Sequence, residues 1–152
     1  MPHPRRPGAL ALLLALVLTG CSRAVAVPEP TPDDAARAVC ARLVPALPAT
    51  VLTGERRSAD PGVLTAAWGD PPITLRCGVP RPPGLTASSE CLEVDGVGWF
   101  AEDAEGGMLY TTIGRTASVE VGVPAAYAPE AGALADLAGA VSATDPVEKP
   151  CV

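Results

Sequence analysis

The residues with the most specific chemistry are Leu18-Thr19-Gly20-Cys21, which have the form of a bacterial lipobox. In such a signal the cysteine thiol forms a thioether to diacylglycerol, and the small residues before it fit the peptidase that cleaves there. Arg5 and Arg6 form a positive region, and the apolar run 9–18 completes a signal peptide. We therefore predict cleavage before Cys21 and acylation of its thiol.

Two other interpretations of this N-terminal stretch are open. A transmembrane helix is disfavoured, because the run 9–18, at about 1.5 Å per residue, covers only about half of a roughly 30 Å hydrocarbon core. An ordinary secretory signal that happens to contain a cysteine is the other alternative. With acylation, two or more chains at about 0.8 kcal/mol per buried methylene would hold the protein stably on the bilayer.

The sequence offers few groups for catalysis. Its single histidine, His3, lies in the predicted signal peptide, so the mature chain has no histidine for a nucleophilic triad or a metal site. A general base would have to be a carboxylate or Lys149. We predict no catalytic residue, but four carboxylates that could meet in space keep open a carboxylate-dependent enzyme acting on cell-wall polymer: Glu90, Glu93, Asp95 and Glu120.

Charge and metal-ligand patterns exclude further classes. The chain has 11 Lys and Arg against 17 Asp and Glu, and apart from Arg56-Arg57 its basic residues are scattered, so no nucleic-acid partner is expected. The stretch Glu102, Asp103, Glu105 with Gly106-Gly107 lacks the spaced ligand ladder of a calcium loop, and a solvated loop is favoured. We predict no metal and no cofactor.

Four cysteines remain beside the acylated one, an even number that indicates two disulfides in an oxidising compartment. Their spacing does not suit a zinc site, and three connectivities are possible. Cys77 ends a predicted strand and Cys91 begins the next, so we predict Cys77–Cys91. Elimination then gives Cys40–Cys151, which would pin the irregular C-terminal tail to the first helix.

Three segments are predicted: a signal peptide at 1–20, a lipidated and proline-rich tether at 21–32, and a single extracytoplasmic domain at 33–152. Apolar periodicity predicts helices at 33–43, with Cys40 on the buried face, and at 129–142, with strands and turns between them. The predicted β elements are a short strand at 51–59, strands at 63–68 and 73–79, a hairpin turning at Asp95-Gly96, and strands at 108–113 and 117–123. Alternation turns Ile73, Leu75 and Cys77 inward and Thr74 and Arg76 outward. In the hairpin, Leu92 faces Trp99 and Val94 faces Val97, and all four are expected on the core face. The fold class is therefore α+β, an antiparallel sheet of about five strands with both helices packed on one face.

Three residues form a candidate ligand or partner surface: Trp68, Arg76 and Arg115. Trp68, the stiff turn Asp70-Pro71-Pro72 and Arg76 could make an aromatic platform with a cation beside it. The architectural alternative, which the pattern favours, places Trp68 in the core and both arginines on the surface. An anion-binding role for Arg115 is the less favoured interpretation of a turn arginine.

Several motifs together resemble an actinobacterial membrane lipoprotein family, catalogued as domain of unknown function thirty-five-fifteen. They are the lipobox, the helix carrying Cys40, the run 67–79, the segment Val97-Gly98-Trp99, the turn Gly114-Arg115 and the strand 119–124. The resemblance covers nearly the whole mature domain. It implies an extracytoplasmic membrane lipoprotein of actinomycetes and implies no catalytic activity.

The sequence thus predicts a non-catalytic binding or accessory module, held on the outer face of the cell membrane through Cys21. Its expected partners are the bilayer and an envelope protein or glycan. Two alternatives stay open, the carboxylate-dependent enzyme and capture of a small solute for a transporter.

Overall fold

A computed structural model of the chain describes residues 23–150. The elements in chain order are β1 (Val25–Ala26), α1 (Asp34–Ala46), β2 (Thr50–Val51), β3 (Gly54–Arg57), β4 (Ala59–Asp60), β5 (Thr65–Trp68), β6 (Ile73–Cys77), β7 (Leu92–Val94), β8 (Val97–Ala104), β9 (Gly107–Thr112), β10 (Val119–Pro124), a short 3-10 helix (Ala125–Tyr127) and α2 (Gly132–Thr144). None of the described helices is long and apolar enough to cross a bilayer.

The main sheet has eight antiparallel strands in the order β2-β3-β5-β6-β10-β9-β8-β7, and β1 and β4 form a separate parallel pair. The prediction of about five strands is therefore wrong. The stretch 51–59, predicted as one short strand, instead contributes to β2, β3 and β4, with a turn between β2 and β3. The predicted loop 102–107 is instead the end of β8, a turn at Glu105-Gly106 and the start of β9.

Alternation along the central strands separates a buried inner face from an outer face. On β6, Ile73, Leu75 and Cys77 are fully buried, whereas Thr74 and Arg76 are partly exposed, as the sequence predicts. The hairpin register confirms the predicted facing pairs, Leu92 with Trp99 and Val94 with Val97. The prediction that all four are core residues is wrong, because Val97 and Trp99 are fully buried but Leu92, on the edge strand β7, is 36% exposed.

Both helices pack on the inner face, and their apolar residues join one core cluster with those of the sheet. The side chain of Asp33 caps α1 by accepting a hydrogen bond from the Ala36 amide at 2.9 Å. Helix α2 contacts β2 at one edge of the sheet and β7 at the other. The sheet therefore curves around α2, and the core lies inside that curve.

The disulfide between described cysteines joins Cys40 on α1 to Cys77 on β6. The predicted pairs Cys77–Cys91 and Cys40–Cys151 are therefore both wrong, and so is the fold prediction with two disulfides of that pattern. Both half-cystines are fully buried on the inner face, where α1 contacts β6. Cys91 is also disulfide-bonded, so it is not a free thiol. Its pairing, like Cys151, lies outside the described residues.

Strand directions give the sheet two distinct ends. The cleft end carries the turns 52–54, 69–72 and 105–106 together with the 3-10 helix 125–127. The tail end carries the turn Asp95-Gly96, the turn 114–116 and the C-terminal residues 145–150. The eight residues of β8 run from one end to the other, which places the two ends about 26 Å apart.

The described part of the predicted tether packs against the domain. Its amides at Val25 and Val27 donate to the carbonyls of Ser58 and Asp60 at 2.8 and 3.1 Å. Further along, the Glu29 carboxylate accepts a hydrogen bond from the Leu64 amide at 2.6 Å. Residues 23–33 thus cross the outer side of the sheet before α1 begins on the inner side.

Candidate functional site

A cleft of about 630 Å³ opens at the cleft end. It is formed where β3 and the turn after β5 meet the 3-10 helix, and its walls carry both charges and a phenol. The lining residues are Thr53, Gly54, Glu55, Arg56, Arg57, Gly69, Asp70, Pro71, Ala126 and Tyr127.

Arg57 ties three separate segments together beside this cleft. Its guanidinium donates to the Gly69 carbonyl at 3.0 Å and to the Arg23 carbonyl at 3.1 Å. The same group lies 3.9 Å from the Asp70 carboxylate, whose side chain is 91% exposed. Such a long ion pair with one exposed partner is worth little for stability. The Asp70 carboxylate is accessible to a ligand, whereas the Arg57 side chain is 25% exposed.

The opposite wall of the cleft is fixed by Tyr127. Its hydroxyl donates to the Pro71 carbonyl at 2.9 Å. Gly69 has a φ of +71°, and a Cβ there would overlap the Tyr127 hydroxyl. The turn therefore needs glycine for two reasons, its left-handed backbone and the close approach of the phenol.

Trp68 lies in the core and lines no surface. Its side chain is fully buried, and the indole Nε1 donates to the Pro48 carbonyl at 3.0 Å. The cation beside it is Arg56, whose guanidinium carbon lies 5.2 Å from the ring centroid. Arg56 also donates to the Val44 carbonyl at 3.2 Å near the end of α1, and burial lowers its pKa.

Arg76 lies on the outer face of β6. This strand is two positions away in the sheet from β3, which carries Arg56, the arginine over the Trp68 ring. Its Nη1 is 3.0 Å from the Glu120 carboxylate on β10, and its Nε donates to the Pro28 carbonyl at 3.0 Å. Both side chains are mostly covered. The pair therefore holds the N-terminal segment on the sheet.

Arg115 lies at the tail end and joins the 114–116 turn to two neighbouring segments. It donates to the main-chain carbonyls of Asp145 and Gly96, the latter at 3.3 Å. Burial lowers the pKa of Arg115, and the negative charge of Asp145 opposes that change. The buried Asp145 carboxylate in turn accepts from the amides of Thr116 and Ala117 at 3.2 and 2.9 Å.

The structure does not bring the three predicted surface residues together. Trp68 is in the core, Arg76 is on the outer face and Arg115 is at the tail end. The carboxylates are dispersed as well, because Glu93 on β7 and Glu120 on β10 are three strand spacings apart, or about 14 Å. Glu90 lines a different, smaller cavity with Ser89 and Phe100, and Asp95 lies in the tail-end turn.

Other predicted sites fall on strands or outside the described range. Glu102 and Asp103 lie on β8 and Glu105 in the following turn, and residues 23–150 contain no cluster of three metal-ligating side chains. Cys21 lies outside the described residues. Sequence reasoning did not assign the cleft, although its two signals were visible in the doublet Arg56-Arg57 and in the turn Gly69-Asp70-Pro71-Pro72.

These features define a curved antiparallel sheet with two helices on its inner face and a polar cleft at one end. The chain belongs to the family described as protein of unknown function (DUF3515), whose model matches residues 9–150. Comparisons with curated proteins and with solved structures found no match.

Proposed function

We propose that this protein is a lipid-anchored module of the actinobacterial cell envelope that binds an envelope protein or glycan through its cleft. The lipobox Leu18-Thr19-Gly20-Cys21 supports the anchor. The observation that carries the binding role is the exposed Asp70 carboxylate beside the Arg57 guanidinium in the cleft. Signal cleavage before Cys21 would leave the domain on the outer face of the cell membrane.

The cleft suits a polar partner. The Asp70 carboxylate and the Arg57 guanidinium supply an acceptor and a donor, and the long separation between them costs little to break. Tyr127 adds an aromatic ring, a residue type enriched at protein interfaces and suited to packing on sugars. Binding here would leave the core contacts of Trp68 in place, because its side chain is fully buried.

The anchor is tested in native cells by changing Cys21→Ser in the full-length protein. We expect the variant to leave the membrane fraction or to accumulate as uncleaved precursor. A correctly cleaved variant that stays on the membrane would contradict lipid anchoring.

The binding role is tested by crosslinking wild-type protein and a double variant, Arg57→Ala with Asp70→Ala, in the same cells. We expect one discrete adduct that the double variant loses. Arg81→Ala is the matched control, because Arg81 is an exposed arginine in the proline-rich loop. An adduct that survives in the double variant and disappears with Arg81→Ala would exclude the cleft as the binding surface.

A carboxylate-dependent enzyme acting on cell-wall polymer is the second candidate. It is favoured by one observation, that Glu55 and Asp70 both line the cleft. Release of soluble fragments from purified cell wall, abolished by either Glu55→Gln or Asp70→Asn, would support this candidate over a binding module.

A further inference from the structure

We propose that the cleft end of the sheet faces the lipid headgroups, and that the tail end points away from the bilayer. This inference rests on the proposed acylation of Cys21. It goes beyond anchoring because it assigns an orientation to the domain and a second contact surface, the bilayer itself. The orientation follows from the hydrogen bonds that hold residues 23–27 on the domain.

The N-terminal segment is hydrogen-bonded to the domain from Arg23 onward. Val25 and Val27 donate to the carbonyls of Ser58 and Asp60, forming the parallel pairing of β1 with β4. The Arg23 carbonyl accepts from the Arg57 guanidinium at 3.1 Å. Little free tether therefore remains between the folded domain and Cys21.

The chain between Arg23 and Cys21 is very short. Only Ser22 separates Cys21 from Arg23, so the Cα atoms of Cys21 and Arg23 are at most about 7 Å apart. A flexible linker of 12 residues, by contrast, would typically span about 20 Å. An acylated Cys21 would consequently hold Arg23 close to the headgroups.

The cleft end of the sheet lies beside Arg23. One guanidinium, that of Arg57, donates to both the Arg23 and the Gly69 carbonyls. Gly69 begins the 69–72 turn of the cleft end, whereas Lys149 and Gly114 meet at the tail end. Arg23 thus lies beside the cleft end, which is about 26 Å from the tail end.

The charges at the cleft end are compatible with this orientation but do not produce it. The cleft end carries Arg57 together with Glu55 and Asp70, so it presents both signs to the headgroups. A surface of mixed sign is not drawn to anionic lipid as a polybasic segment is. The orientation should therefore depend on the short tether and change little with the anionic lipid content.

The experiment uses the full chain in membranes of the producing cells. A genetically encoded photo-crosslinking amino acid replaces either Ala126 in the cleft wall or Val147 at the tail end, both of which are exposed. We expect about fivefold more lipid adduct from position 126, because about 26 Å separates the two ends. Equal lipid adducts at the two positions, or more lipid adduct at position 147, would overturn the orientation.

A linker variant tests whether the short tether is the cause. Twenty Gly and Ser residues inserted between Ser22 and Arg23 would span about 25 Å, so the excess of lipid adduct at position 126 should disappear while the protein stays in the membrane fraction. Persistence of that excess would show that the tether does not set the orientation. Absence of the unmodified protein from the membrane fraction would instead refute the anchor itself, so the two failures are distinguishable.

Discussion

The two ends of the sheet use arginine in opposite ways. At the tail end, Arg115 and the buried Asp145 bind main-chain groups of several segments and are largely enclosed. At the cleft end, Arg57 also binds main-chain carbonyls, but its ionic partner Asp70 is 3.9 Å away and 91% exposed. Enclosed polar groups hold the fold, because leaving them unpaired is costly, whereas exposed ones are available for recognition.

The disulfide gives the largest expected effect, and it belongs to the tail half because Cys77 pairs with Val119 at the start of β10. Replacing Cys40 and Cys77 by Ala removes a crosslink of sequence separation 37, which is worth about 4 kcal/mol in the chain-entropy model. We expect the melting temperature to fall by about 15 °C. An unchanged melting temperature, in both the variant and the reduced wild type, would contradict this role.

Asp145→Ala gives the next largest effect. The substitution leaves the amides of Thr116 and Ala117 without their acceptor in a buried site, at a cost of about 3 kcal/mol in the free energy of unfolding. Asp136→Ala is the matched control on α2, the helix that ends just before Asp145, since Asp136 accepts one exposed hydrogen bond from the Leu52 amide. Urea unfolding of both variants measures the difference, and equal losses would show that burial at the tail end is not what matters.

The next prediction concerns Tyr110, a core residue between the two ends of the sheet, and the pH dependence of the free energy of unfolding. Burial, and secondarily the negative charge of Glu130, raises the pKa of Tyr110. Because the folded pKa lies above the unfolded value of about 10, the neutral phenol's contribution is complete below that value and is lost as pH rises through the folded pKa. We expect the free energy of unfolding to fall above about pH 10, by at most about 1.4 kcal/mol per pH unit from this group.

The Tyr110→Phe variant separates this residue from others that titrate at alkaline pH. Urea unfolding from about pH 9 to 11 should show a shallower loss for the variant than for the wild type. Tyr127→Phe serves as a control at the more exposed phenol. A slope unchanged by Tyr110→Phe would contradict the assignment.

Local patterns predicted which way side chains face, but not which distant elements meet. Helical spacing placed Cys40 on the buried face of α1, and alternation placed Cys77 inward on β6; both positions are confirmed. The pairing was wrong because proximity in sequence was taken for proximity in space, whereas α1 packs across β6. Predicting that contact requires the strand order, which no local pattern contains.

The same limit explains the cleft. The turn at 69–72 and the doublet Arg56-Arg57 were each visible in the sequence, but the register that joins them arises from β3 pairing with β5. Tyr127 comes from a third segment, more than fifty residues further along the chain. A site assembled from three separate segments leaves only fragments in the sequence.

Substitutions at the cleft end should have the smallest effect on stability. We expect them to weaken binding of the partner instead. Asp70→Asn removes the charge from an exposed carboxylate with one long ionic contact, so the free energy of unfolding should change by less than about 0.5 kcal/mol. The amount of crosslinked partner should nevertheless fall, because the proposed recognition uses this carboxylate. Glu148→Gln is a matched tail-end control, since Glu148 is also an exposed carboxylate with one side-chain partner, Thr116. Two outcomes would contradict the division between a structural end and a recognition end. One is that Asp70→Asn destabilises the protein as strongly as Asp145→Ala. The other is that Asp70→Asn and Glu148→Gln reduce the crosslinked partner equally.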